Sequence, residues 1–178
     1  MQNYSNALIS IIVPCYNEEG NVELLYNKVK DTLHDTKLEF IFVDDNSNDR
    51  TLEVIESLSQ KDESIKYISF SRNFGHQNAL KAGLDNSSGD CVISMDADLQ
   101  HPPEMLPELI DKWLYGYDIV YTLRKDVENV SFFKKITSSL FYKLMNRFSE
   151  VEIKEGSADF RLLDRKIVDI LKNDFSEF

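Results

Sequence analysis

Five short apolar runs, at residues 8–14, 38–43, 65–70, 91–95 and 117–122, alternate with stretches whose apolar positions recur at helical spacing. Most of the runs are apolar at consecutive rather than alternate positions, as in strands covered on both faces. Between them, Val22, Leu25, Val29 and Leu33 share one helical face, and Leu52, Ile55 and Leu58 share another. Pro14 stops the first run, and further helices are expected after the 71–77 stretch to about 86, at 104–115 and at 164–172. Doubly buried strands alternating with helices leave few architectures. The expected one is an α/β/α sandwich around a mostly parallel sheet. No repeat, linker or low-complexity tract divides the chain, so a single domain is expected over residues 1–178.

In such a sheet, ligands bind beyond the carboxyl ends of the strands. The polar clusters of this chain stand there: residues 16–18, 44–49, 72–77 and 96–100. The last is the most informative. Asp96-Ala97-Asp98 directly follows a buried run and precedes Gln100-His101-Pro102-Pro103, so two short carboxylates meet the loop at a strand end. That spacing suits a hard divalent cation whose other ligands are phosphate oxygens. It equally suits a turn leading into a helix N-cap, and the local sequence leaves both open. Asp44 and Asp45 offer acceptors to a nucleobase or ribose, beside a good turn at 46–49. Arg72 and Arg124, at strand ends, would bind phosphate bidentately or form ion pairs within the chain. Asp159 and Arg161 alternate in a β-like segment, as a base-and-anion pair or a salt bridge.

Composition narrows the chemistry by exclusion. With 31 acidic against 20 basic residues and a net charge of −11, the chain lacks the basic face of a nucleic-acid binder. It carries no Gly-x-Gly-x-x-Gly, no phosphate-binding Gly-Lys-Ser/Thr loop, no Gly-x-Ser-x-Gly and no His-Glu-x-x-His. His34, His76 and His101 are far apart in sequence and are expected as surface or loop residues rather than metal ligands. Cys15 and Cys91 lie in or beside buried runs without a Cys-x-x-Cys partner, as free thiols in a reducing compartment would. No signal pattern opens the chain, and no apolar run reaches the ~18 residues of a spanning helix.

One segment runs against the acidic average. Residues 121–147 hold six Lys or Arg against two acids. Within 131–148, Phe132, Phe133, Ile136, Leu140, Phe141 and Leu144 form a wide apolar face beside Lys134, Lys135, Lys143 and Arg147. Such a helix lies in a membrane interface or packs in a core, and periodicity does not separate the two.

Taken together, Val13-Pro14-Cys15-Tyr16-Asn17-Glu18, Val43-Asp44-Asp45-Asn46-Ser47 and Asp96-Ala97-Asp98 resemble the family 2 glycosyltransferases of GT-A fold. Ser71-Arg72-Asn73-Phe74-Gly75-His76-Gln77, Met95 through Glu104, and Ala158-Asp159-Phe160-Arg161-Leu162-Leu163-Asp164-Arg165 narrow the resemblance to bacterial polyprenyl-phosphate glycosyltransferases and dolichol-phosphate mannose synthase. The resemblance implies a GT-A, Rossmann-like sandwich and an inverting transferase. Its donor would be a nucleotide-diphosphate sugar such as UDP-glucose, and its acceptor a polyprenyl phosphate lipid. By position, Pro14, Tyr16, Glu18, Asp44 and Asp45 would line the nucleoside pocket, with Arg72 and Arg124 near the phosphates. Asp96, Asp98 and Gln100 would hold Mg2+ or Mn2+, with Asp98 also counted as catalytic. Asp159 would be the base, with Arg161 beside it. The resemblance further implies transmembrane helices beyond Phe178 and residence at the cytoplasmic face of the bacterial plasma membrane, this stretch alone being soluble. It leaves room for a homo-oligomer. Two other readings stay open: a soluble GT-A enzyme acting on a sugar hydroxyl of a cell-surface polysaccharide, and a non-catalytic module that binds nucleotide sugars.

Overall fold

The computed structural model describes residues 7–123 and 157–174. Arg124 and the expected amphipathic helix at 131–148 lie outside the described residues. The chain divides into two compact units, Met1–Val120 with Asp159–Phe178, and Tyr121–Ala158. The described strands are β1 (Leu8–Cys15), β2 (Lys37–Asp44), β3 (Ile65–Ser69), β4 (Cys91–Ser94), β5 (Ile119–Leu123) and β6 (Ser157–Asp164). The helices are α1 (Val22–Thr32), α2 (Thr51–Ser59), α3 (His76–Asn86), α4 (Leu106–Leu114) and α5 (Arg165–Asp174). No described helix is long and apolar enough to cross a membrane.

The sheet runs β3-β2-β1-β4-β6-β5, and its first four strands are parallel, as the alternation of strands with helices implies. β2, β1 and β4 are parallel, with Ile12 opposite Ile41 on one side and Ser94 on the other. β6 departs from the parallel rule. It enters antiparallel to β4, setting Arg161 opposite Ser94 and Leu163 opposite Val92. The chain thus returns to fill the gap between β4 and β5, which strand-by-strand reading does not anticipate.

Both faces of β2 are buried, and alternation splits its side chains between two cores. Phe40 and Phe42 stack at 6.0 Å on one face, where Tyr26 of α1 meets Phe40 edge-on at 5.1 Å. Ile41 and Val43 join Ile12, Val92 and Leu163 on the other face, under Ala79, Leu80 and Leu84 of α3 and Val168 of α5. α3 lies so close to β1 that a Cβ at Gly83 would come within 2.3 Å of the Ile12 side chain. Only glycine lets the helix sit there.

One buried charge ties the strand edge remote from the acidic loops. Glu39, 5% exposed, accepts hydrogen bonds from Ser10 Oγ, from Ser88 N and Oγ, and from Lys66 Nζ at 2.6 Å. Burial alone would raise its pKa, but Lys66, Ser10 and Ser88 outweigh it and bring the carboxyl down to about 2 from 4.5. Because the folded value lies below the unfolded one, the stabilisation is complete above about pH 4.5. It is lost as pH falls toward 2. We expect Glu39→Gln to lose roughly 3 kcal/mol at pH 7 and to flatten the acid limb of stability between pH 4.5 and 2, measured by urea unfolding across that range.

Candidate functional site

Parallel pairing puts the carboxyl ends of β1, β2 and β4 at one edge, where the loops after β1 and β2 interlock. Asn17 N donates to Ser47 Oγ at 2.9 Å, Asn48 N to Asn17 Oδ1 at 2.8 Å, and Glu18 N to Thr51 Oγ1 at 2.7 Å. The loop after β3, which pairs parallel to β2, is held by Asp45, whose carboxylate accepts from Phe74 N at 2.7 Å and Gly75 N at 2.9 Å. Gly75 has φ +91°, a conformation that favours glycine, and it turns the chain into α3 with His76 first. Among the described residues, the non-glycine residues with positive φ are Asn17, Asn46 and Leu99, one in the loop after each of β1, β2 and β4. Asn tolerates that region; for Leu it costs about 1–2 kcal/mol. Such strain persists where the surroundings over-determine it, most often at functional sites.

Between these loops lies a cleft of about 440 Å³. Of the residues singled out in sequence, Pro14, Tyr16, Glu18, Asp45, Asp96 and Asp98 line it. Asp44 does not. It is 2% exposed and accepts from Ser47 N at 3.2 Å and Ser69 Oγ at 3.5 Å, bracing the turn after β2. The Arg72 guanidinium lies over the Phe74 ring, 4.6 Å from its centroid. Arg161, half-buried on β6, borders a second cavity of about 410 Å³ that Leu80, Leu84 and Ile167 also line. Asp159 is two residues before it on the same strand. Gln100 is exposed, and its N–H donates to Asp98 Oδ1 at 3.0 Å.

Sequence reading gave no role to three residues of the cleft wall: Asn73, Gly75 and His76. Their place follows from the Asp45 carboxylate, which holds Phe74 N and Gly75 N from about thirty residues earlier. His101 is a loop residue as expected, yet it is 4% exposed. Its ring stacks on Phe160 of β6, centroids 5.1 Å apart and planes 19° from parallel. Two of the three dispersed histidines also converge on Asp96: His76 Nε2 is 3.7 Å from Oδ1 and His101 Nδ1 is 3.6 Å from Oδ2. Cys15 and Cys91 are free and buried. Burial, followed by the charges of Glu18, Asp44 and Asp49, pushes the Cys15 thiol well up, so the cleft contains no thiolate nucleophile from it.

The donor set fits a hard cation. Asp96 and Asp98 offer oxygens to one cleft, and one Asp98 oxygen already accepts the Gln100 N–H. Among the described residues, no group of three or more His, Cys, Asp or Glu side chains is arranged to hold a metal by itself. A pair of carboxylates suits Mg2+ or Mn2+ that takes its remaining oxygens from phosphate and water.

Residues 10–171 match the model of glycosyl transferase family 2. YkcC of Bacillus subtilis (strain 168), described only as an uncharacterized glycosyltransferase, is 44% identical over 165 residues, which is 92% of this chain and 51% of that protein. The bactoprenol glucosyl transferase of Shigella phage SfV is 42% identical over 166 residues, 92% of this chain and 54% of its own length. The chain therefore spans about half the length of the curated relatives it matches. Among solved structures, glucosyl-3-phosphoglycerate synthase from Mycobacterium tuberculosis, in complex with Mn2+, UDP and phosphoglyceric acid, superposes with a TM-score of 0.63 at 22% identity. That match covers 91% of this chain and 57% of the other, and at this identity it speaks for the fold.

The two hydrogen bonds of Asp45 make a prediction that a purely ligand-facing carboxylate would not. Asp45→Ala removes a 4%-exposed carboxylate and leaves the part-buried N–H groups of Phe74 and Gly75 without that acceptor. It is expected to cost about 2–4 kcal/mol of stability with no nucleotide present, read from urea unfolding. An unchanged midpoint would make Asp45 a contact for ligand alone.

Proposed function

The chain belongs to glycosyl transferase family 2 and has its GT-A fold, and from that premise we propose that it transfers a hexose from a nucleotide-diphosphate sugar to a polyprenyl phosphate lipid. The observation that carries this reading is the pair Asp96 and Asp98 in one cleft with Pro14, Tyr16 and Glu18, at the sheet edge where nucleotides bind in such folds. UDP-glucose is the favoured donor and a bactoprenol-type phosphate the favoured acceptor, from the name of the phage relative. UDP and Mn2+ in the mycobacterial relative support the same donor chemistry.

In this account Tyr16, Glu18 and Asp45 frame the nucleoside end of the cleft, and Asp96 with Asp98 would hold Mg2+ or Mn2+ against the diphosphate. A cation held there would supply Lewis-acid stabilisation of the leaving diphosphate, so that departure would need no proton donor. The acceptor oxygen attacks the anomeric carbon opposite the leaving group, with inversion. A phosphate monoester has a second pKa of about 6, so a lipid phosphate arrives mostly as the dianion and needs little help from a base. Arg161, with Arg124, would pair with that phosphate, and Asp159 would orient rather than deprotonate it. The cations of 131–148 would favour the anionic surface of a bacterial plasma membrane, at about 1 kcal/mol each.

The test is UDP release from UDP-sugars offered with a short polyprenyl phosphate or with sugar-hydroxyl acceptors, in Mn2+ or Mg2+. Release that depends on the lipid phosphate supports the reading; release only with a sugar acceptor contradicts it. Asp98→Asn is expected to lower turnover roughly 100-fold. Asp159→Asn should cost less than about 10-fold, because a hydroxyl acceptor, not a phosphate, is what requires a positioned base. Equal losses would favour the hydroxyl acceptor.

A further inference from the structure

We propose that His101 is a positioning residue for the metal-binding turn, holding Asp96 in place from behind the cleft and tying it to β6. This rests on the reading of Asp96 and Asp98 as the cation-holding pair, and it adds a residue that does not itself line the cleft. The turn leaves a buried strand end, Ser94 and Met95, and passes through Leu99 at φ +60° before reaching His101. A non-glycine residue in that region needs neighbours that fix the backbone on both sides. His101 supplies the fixing. Asp96 N–H points to its Nδ1 at 3.5 Å, so the last side chain of the turn reaches back to the first residue and closes it.

The other side of the ring is held as firmly. Phe160, 1% exposed, stacks on it and lies between Asp159 and Arg161 on β6. The ladder sets Arg161 opposite Ser94, two residues before Asp96. The strand that delivers the turn is thus paired to β6 by its backbone, and the turn itself meets β6 through one ring stack. His76 approaches the opposite Asp96 oxygen from α3, but its side chain is 40% exposed, against 5% for that of His101. His76 can respond to ligand, whereas His101 is part of the frame.

Two substitutions separate this role from packing. His101→Phe keeps a ring against Phe160 and removes the acceptor; His101→Asn loses the ring and retains an acceptor oxygen near the Nδ1 position. Binding of UDP to the full chain is measured calorimetrically with and without Mn2+, together with thermal unfolding. His101→Phe is expected to weaken Mn2+-dependent UDP binding about 10–100-fold while unfolding cooperatively, the size usual for groups that orient metal ligands. His101→Asn should stay within about 3-fold of the unsubstituted chain, although less stable, and metal-free UDP binding should be unchanged in both. Unchanged Mn2+-dependent binding in His101→Phe, or an equal loss in both, overturns the proposal and leaves His101 as packing. Should His101→Phe fail to fold, His101→Asn is set against His101→Ala: tighter binding by Asn supports the proposal, and equal binding overturns it. No Mn2+-dependent UDP binding by the unsubstituted chain overturns the metal reading itself, and this inference with it.

Discussion

The parallel ladder of β2, β1 and β4 is the constraint on which the rest depends. Parallel strands cannot be joined by hairpins, so every connection crosses the sheet, and every carboxyl end opens at the same edge. The acidic loops are brought together by that geometry before any of their own contacts form. Glu39 serves the same sheet from the opposite end, where Ser10, Lys66 and Ser88 converge on it. One edge holds a charge that is fully partnered inside the chain. The other presents Asp96 and Asp98 to an open cleft.

The difference between those carboxylates is the functional content of the structure. Asp44 and Asp45 look equivalent in sequence, yet Asp44 braces its own turn and Asp45 anchors a loop thirty residues away. Asp96 and Asp98 differ in turn, one flanked by two imidazoles and the other capping Gln100. On the proposed reading, a cation at this pair would meet one carboxylate flanked by histidines and one held by a backbone N–H.

Much of this was legible in the residues. Consecutive apolar positions in β1 and β2 announced doubly buried strands, and strand-end placement of the Asp-Ala-Asp turn pointed to the correct sheet edge. The strand-end rule set four polar clusters at one edge, and the resemblance to family 2 is borne out by the match over residues 10–171. What stayed hidden has a common physical character. The antiparallel entry of β6, the grip of Asp45 on Phe74 and Gly75, and the stack of His101 on Phe160 all join residues distant in the chain. Such contacts leave no period in the sequence, and a histidine in a polar loop looks the same whether it is solvated or buried.

The central claim is that the four loops at this sheet edge form one cation-dependent nucleotide site around Asp96 and Asp98. Paramagnetic broadening of backbone amide signals by Mn2+, in the presence of UDP, tests it most directly. Broadening should centre on 96–98 and extend to 14–18 and 73–76, while the Glu39 end of the sheet stays sharp. Broadening centred elsewhere, or none that depends on UDP, would contradict it.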